Sequence, residues 1–224
     1  MHFIRLSEAN LDEVLKFILD DLEAIEPLIE SLSIGKEDCS AFFRSLLNEA
    51  VRSQVSYFVK GDDGKIAGVR LSTFLTRGEN DRETEYTPTP ELSQNLERAQ
   101  CLLWHLNRQF WQNMSPDIEK VYYLMAVILA PRFRYTDLAD KLVHHNMDEL
   151  RTMGAQGLVA NAGIFHNDKL LEMLGFRIMA EAIDGAVNNS IRKNSFEYDD
   201  NTQKTQLVYK EMWRGEELGT RIVI

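Results

Sequence analysis

The segment Leu-Ala-Pro-Arg-Phe-Arg-Tyr-Thr-Asp-Leu-Ala-Asp-Lys-Leu, residues 129–142, gathers groups suited to holding an anion. It reads as a strand ending at Leu129, a proline at Pro131, a basic loop and then a helix start. The first turn of a helix leaves N–H groups without intrahelical acceptors, and the helix dipole adds partial positive charge there. Phosphates and carboxylates collect at such junctions. Arg132 and Arg134 would add charge of their own. Two features oppose this. The loop lacks a glycine that would let backbone approach an anion closely, and Asp137 puts a carboxylate in the approach path. The same residues also read as an ordinary strand-to-helix turn, with Thr136 and Asp137 capping the helix and both arginines solvated.

Other groups with chemical potential have simpler readings. His144 with Asp148, and His145 with Glu149, stand at i,i+4 spacing that formally suits a metal, but on a surface helix they read as a solvated face. Trp104, Phe110 and Trp111 share one helix and read as core packing rather than an aromatic pocket. Cys39 and Cys101 have no local partners and read as buried free thiols. Neither a Ser-His-Asp nor a Cys-His nucleophile signature is present.

The elements that must position these groups follow from periodicity. His2–Ser7 reads as a short strand. Leu11, Val14, Leu15, Ile18, Leu19 and Leu22 make one helical stripe that Pro27 bends or ends. A second helix fits residues 37–53, with Phe42, Phe43, Leu46, Leu47 and Ala50 inward. Two β-rich runs flank a Gly-Asp-Asp-Gly turn at 61–64, a hairpin signal. A polar, proline-containing loop at 77–92 leads to a helix over 92–114. Residues 120–129 are an apolar run, as in a strand buried on both faces. The spacing predicts one helix over 135–154, stopped by Gly154, then a strand at 158–163, a short helix at 167–175 and strands at 176–183 and 206–212. That order implies one α/β domain over 1–224: a mixed sheet with helices on both faces.

Composition sets the outer bounds. The chain has 224 residues, 44% hydrophobic and 27% charged, enough for a core without staples. A net charge of −10 disfavours nucleic acid and anionic membranes as partners. No apolar run is long enough for a membrane span or a leader, so a cytoplasmic location is expected.

In Pro131, Phe133, Arg134, Leu138, Ala139 and Leu142 the chain resembles the GNAT superfamily of acyl-CoA-dependent N-acyltransferases, whose consensus is roughly Pro-x-Tyr-Arg-x-x-Gly-Ile-Gly/Ala-x-x-Leu. Asp137 stands where that consensus has glycine. Residues 170–181 resemble a second signature, Tyr-Glu-Lys-Leu-Gly-Phe before a strand, with Glu172, Leu174, Gly175 and Phe176 kept and Leu171 in place of the tyrosine. The hairpin resembles the family's central one. Within the superfamily, Ala24–Leu32 resembles the acidic Glu-Pro-Leu segment of invertebrate arylalkylamine N-acetyltransferases.

The resemblance implies a largely antiparallel central sheet, helices on both faces, and a parallel strand pair that holds acyl-CoA. It implies acetyl-CoA as co-substrate, no metal, and a small primary amine of the arylalkylamine kind as acceptor, attacked directly in a ternary complex. Glu26 would be the general base. Backbone near Val127 or Leu129 would serve the thioester carbonyl and pantetheine. Arg132, Arg134, Tyr135, Thr136, Asp137, Leu138 and Ala139 would hold the pyrophosphate, with Asn167 also at the cofactor. With tyrosine lost at Leu171, and with Gly163 and Asn167 nearest the serines of invertebrate relatives, no obvious general acid survives; His166 is the candidate substitute, and its simpler reading is a surface or cap histidine. Two rivals stand: a non-catalytic relative that binds CoA or a partner, and an acetyltransferase for polyamines or protein amino groups.

Overall fold

The computed structural model describes residues 1–20, 34, 38–78, 93–134, 136–161, 175–183 and 204–212. Their elements are β1 (His2–Arg5), α1 (Leu11–Asp20), α2 (Cys39–Ser53), β2 (Tyr57–Lys60), β3 (Ile66–Thr76), α3 (Gln94–Asn113), β4 (Lys120–Leu129), α4 (Leu138–His144), α5 (Met147–Thr152), β5 (Gly157–Asn161), β6 (Arg177–Ile183) and β7 (Lys204–Glu211).

The helices form where the apolar stripes lie. Val14, Leu15 and Ile18 of α1 are buried, as are Phe42, Phe43, Leu47 and Ala50 of α2. Ser93 caps α3 by accepting the Leu96 N–H at 3.2 Å. Buried on α3 are Leu102, Leu106, Phe110 and Trp111, so the last two aromatics are core residues, while Trp104 is half-buried. The β2–β3 turn closes through Gly61 N–H to the Lys65 carbonyl at 2.9 Å, and Gly64 adopts φ +74°, where a side chain would be strained. Both cysteines are buried.

The described strands form one seven-stranded sheet in the order β1-β2-β3-β4-β5-β7-β6. Every neighbouring pair is antiparallel except β4–β5, which is parallel. Helices α1, α2 and α3 share a core with one face, which includes Val121, Tyr123, Met125, Ala126 and Ile128 of β4. Helices α4 and α5 cover the other, against Tyr122, Leu124 and Leu129. Among the described residues no helix is long and apolar enough to cross a membrane.

The single helix expected over 135–154 is instead two. His145 is extended at φ −63°, ψ 132°, and Asn146 is left-handed at φ +59°. The break has a cause remote in sequence. Arg70, on β3, donates to the carbonyls of Leu142 at 2.6 Å, Val143 at 3.2 Å and His145 at 2.9 Å, so these oxygens face a guanidinium rather than a further turn. Asparagine tolerates the left-handed conformation that follows. The stop at Gly154 is as expected: it has φ +87°, and Ala155 N–H returns to the Leu150 carbonyl at 3.1 Å. The helix expected at 167–175 lies outside the described residues except for Gly175.

Helix α4 sits close on β3 and β4 because Gly68 has no side chain. A Cβ there would lie 2.7 Å from Leu129 Cδ2 and 2.9 Å from Leu142 Cδ1. Leu142 is fully buried. The variant G68V is expected to lower stability by about 1–3 kcal/mol through overpacking. Denaturant unfolding should show a lower midpoint with unchanged slope.

Candidate functional site

Strand β4 is paired unequally on its two edges. Toward β3 its ladder runs from Lys120 to Leu129. Toward β5 it pairs only through Tyr122, Tyr123 and Leu124, opposite Leu158, Val159 and Ala160. Beyond Leu124 no strand among the described residues pairs with that edge. The divergence coincides with a β-bulge. Leu71 faces Ala126 and Ser72 faces Leu124, which leaves Met125 as an extra residue. Met125 and Ala126 consequently both face the α1–α3 core, although neighbours normally alternate.

The bulge fixes which peptide groups reach the open edge. Ala130 N–H bonds to the Ala67 carbonyl at 2.9 Å, toward β3. Residues two apart point the same way, so Ile128 also faces β3. Val127 and Leu129 therefore turn their N–H and C=O groups to the open side. Their side chains pack on α4, with Leu129 buried and Val127 half-buried. This edge, whose peptide groups meet no strand among the described residues, suits an extended, amide-bearing ligand, since strand addition needs only backbone.

The loop after β4 turns through a short 3-10 segment, Pro131–Phe133, into α4. Of the two residues expected to cap it, one does. Asp137 makes no side-chain cap bond. Thr136 Oγ1 takes the Leu138 N–H at 3.3 Å instead. The Asp137 carboxylate lies 2.8 Å from Lys141 Nζ, one turn along the helix, so its charge is offset there. Arg132 is also committed: its guanidinium lies 2.7 Å from Asp63 in the β2–β3 turn and holds that carboxyl below its ordinary range. Arg134 is half-buried beside it. Leu138 and Ala139 are buried and anchor the helix start. Glu26, Tyr135, His166 and Asn167 lie outside the described residues, so what the structure brings together from the expected set is Val127, Leu129, Arg132, Arg134 and the 136–139 turn.

Three features were not foreseen from sequence. Arg70 stands directly opposite Val127 on the neighbouring strand and is fully buried. A lone cation inside the apolar run Ile66–Leu75 was a usable signal. The second is the bulge, which has no compositional mark. The third is Glu49 on α2. By area it is an exposed residue, yet desolvation still raises its carboxyl above the usual range, partly countered by a hydrogen bond with Thr73. Glu49's charge and, above all, burial push the Tyr123 phenol up, so this tyrosine stays neutral.

The solvated face expected at His144–Glu149 is corrected. His145 stacks on Phe3 at 4.1 Å and meets the Tyr57 ring edge-on at 4.6 Å. Glu149 receives Arg5 Nη2 at 2.6 Å, the Tyr57 hydroxyl at 3.0 Å and Asn146 Nδ2 at 2.9 Å. The Arg5 bond, with lesser help from Tyr57 and Asn146, lowers the Glu149 pKa. His144 pairs with Asp140 at 3.1 Å. These groups clamp the α4–α5 break to β1 and β2. Among the described residues no cluster of metal-ligating side chains occurs.

The parallel pair that parts at a bulge, followed by a basic loop and helix on an otherwise antiparallel sheet, identifies the architecture. The chain has the GNAT fold. Aedes aegypti arylalkylamine N-acetyltransferase 2 aligns with a TM-score of 0.65 at 22% identity, over 94% of this chain and 98% of that one. Mosquito arylalkylamine N-acetyltransferase like 5b aligns at 0.70 and 19% identity, over 94% and 99%. Drosophila melanogaster polyamine N-acetyltransferase aligns at 0.69 and 12% identity, over 94% and 99%. No family model and no curated protein matches the sequence.

Burial, with Arg70 nearby, lowers the His145 pKa below its ordinary 6.5. As pH falls through that value the unfolded chain takes up a proton that the folded one refuses, so stability declines. H145F keeps both ring contacts and removes the titration. Because His105 is displaced in the same direction, the wild-type-minus-H145F difference is the quantity to read. It should be constant above about pH 6.5 and shift against the wild type below it, in urea unfolding followed across pH.

Proposed function

We propose that the chain is an N-acetyltransferase that moves an acetyl group from acetyl-CoA to a small primary amine, of the arylalkylamine type. The observation that carries this reading is the open edge of β4, with Val127 and Leu129 presenting peptide groups beside a divergent parallel strand in a GNAT fold. The residues present fit the co-substrate in two respects: the edge suits the amides of the pantetheine arm, and Lys141 draws the Asp137 carboxylate along its own helix. The neighbours named above carry arylalkylamine and polyamine acetyltransferase names, which sets the class of acceptor we propose.

Acetyl-CoA supplies an activated carbonyl and a thiol leaving group with a pKa near that of free cysteine, roughly 8.5, which needs only modest acid assistance. Glu26 takes the ammonium proton through water and frees the amine to attack. The Val127 or Leu129 N–H donates to the carbonyl oxygen as charge develops there. The 132–139 segment meets the pyrophosphate, with Arg132 and Arg134 supplying positive charge. His166 is the candidate to protonate the departing sulfur, and Asn167 lies next to it in sequence.

The test is thiol release from acetyl-CoA against a panel of tryptamine, spermidine and a lysine peptide. Release with tryptamine, abolished in E26A while calorimetric acetyl-CoA binding persists, is the expected result. Binding without turnover of any amine would make the chain a non-catalytic relative, a reading that Leu171 and Asp137 favour. Turnover of spermidine or peptide alone would reassign the acceptor. Removing the charge in D137N should tighten acetyl-CoA binding several-fold, most strongly at low salt, because like charges at close range repel by about a kcal/mol or more at surface-like dielectric.

A further inference from the structure

We infer that Arg70 is a positioning residue for acyl-CoA: it sets the spacing between the open edge of β4 and the 132–139 segment, and thereby the hold on the diphosphate end of the co-substrate. The inference rests on the proposed acyl-CoA site and deepens it.

Arg70 has 0% of its surface exposed. It sits opposite Val127 in a pair that exchanges no backbone hydrogen bonds, where side chains of both strands project on the same face and lie closest. From there its guanidinium crosses to the far end of α4. Nη1 donates to the carbonyls of Leu142, Val143 and His145 at 2.6, 3.2 and 2.9 Å, and Nη2 to Val55 at 2.9 Å. The Tyr57 and Tyr122 rings flank it at 5.3 and 5.5 Å. Among the described residues no carboxylate pairs with it, and its Nε has no partner at all.

Burying a cation without a counter-ion is costly. What offsets the cost here is the negative end of α4, three of whose terminal oxygens converge on one nitrogen. A helix can be ended more cheaply, by a glycine or a surface lysine. The arrangement chosen ties the helix to one particular strand position. Helix α4 is seven residues long, too short to flex appreciably, and its middle is seated where Leu142 meets the Gly68 notch. Fixing its C-terminus on Arg70 therefore fixes where its other end, and the 132–139 segment, stand relative to the Val127 and Leu129 peptide groups. A ligand that spans both must match that distance, so a displaced turn weakens its hold at the diphosphate end.

The experiment compares wild type, R70K and R70M by calorimetry with two probes: acetyl-CoA, and S-acetylpantetheine, which lacks the diphosphate. The expected result is a rise of about tenfold or more in the Kd for acetyl-CoA in both variants, with the Kd for S-acetylpantetheine changed less than about twofold. A purely structural role would weaken both probes together, and that outcome overturns the inference, as does unchanged binding of both. R70K keeps a cation at the helix end and is the variant to read if R70M does not fold, a melting curve deciding that point. If the wild type itself binds no acetyl-CoA, the acyl-CoA reading has failed and takes this inference with it. If the wild type binds and the variants bind alike, only the role of Arg70 is refuted.

Discussion

One unpaired residue governs the architecture of β4. Met125 has no opposite number on β3, so the strand changes phase at that point. Before it, Tyr122 and Leu124 face α4 and α5; after it, Val127 and Leu129 do. The same phase change accompanies the loss of β5, whose pairing ends opposite Leu124. A regular strand would have kept both neighbours and exposed no peptide groups. The extra residue accompanies an edge that no strand among the described residues pairs beyond Leu124, while the ladder to β3 holds the other side of β4.

The loop that follows shows how charges are arranged beside β4 and α4. Two ion pairs flank this loop: Arg132 with Asp63, and Asp137 with Lys141. Both pairs are well exposed and individually weak. Their effect is to orient side chains rather than to stabilise the fold. Asp137 points along α4, and Arg132 ties the β2–β3 turn to the start of the 3-10 segment.

The elements were largely legible from residue patterns. Amphipathic stripes located α1, α2 and α3, the Gly-rich turn located the β2–β3 hairpin, and the apolar run located β4. Each of these signals is local. What was not legible depends on partners far along the chain. The break between α4 and α5 needs Arg70, and nothing in the stripe Ala139–Leu150 announces it. The burial of His145 and Glu149 needs Phe3, Arg5 and Tyr57, so a pattern that looked solvated on its own helix is an inter-element clamp. Val127 and Leu129 were expected at the site only through the family resemblance; the bulge that turns their peptide groups away from β3 has no mark in the residue pattern. Of the two expected caps only Thr136 acts, while the Asp137 carboxylate meets Lys141 instead.

The strand order carries an implication for how the molecule is assembled. Strand β7 lies between β5 and β6, although it follows both in the chain. Until residues 204–211 have emerged from the ribosome, β5 lacks its antiparallel neighbour and β6 has nothing to join it to the sheet. The parallel partner of β4 is thus braced on its far side only by a late arrival. Synthesis from the amino end can complete the β1–β4 half early, but the wedge between β4 and β5 takes its final shape only when a distant stretch threads into the gap, a slow, non-local event during which two bare edges stand open to self-association.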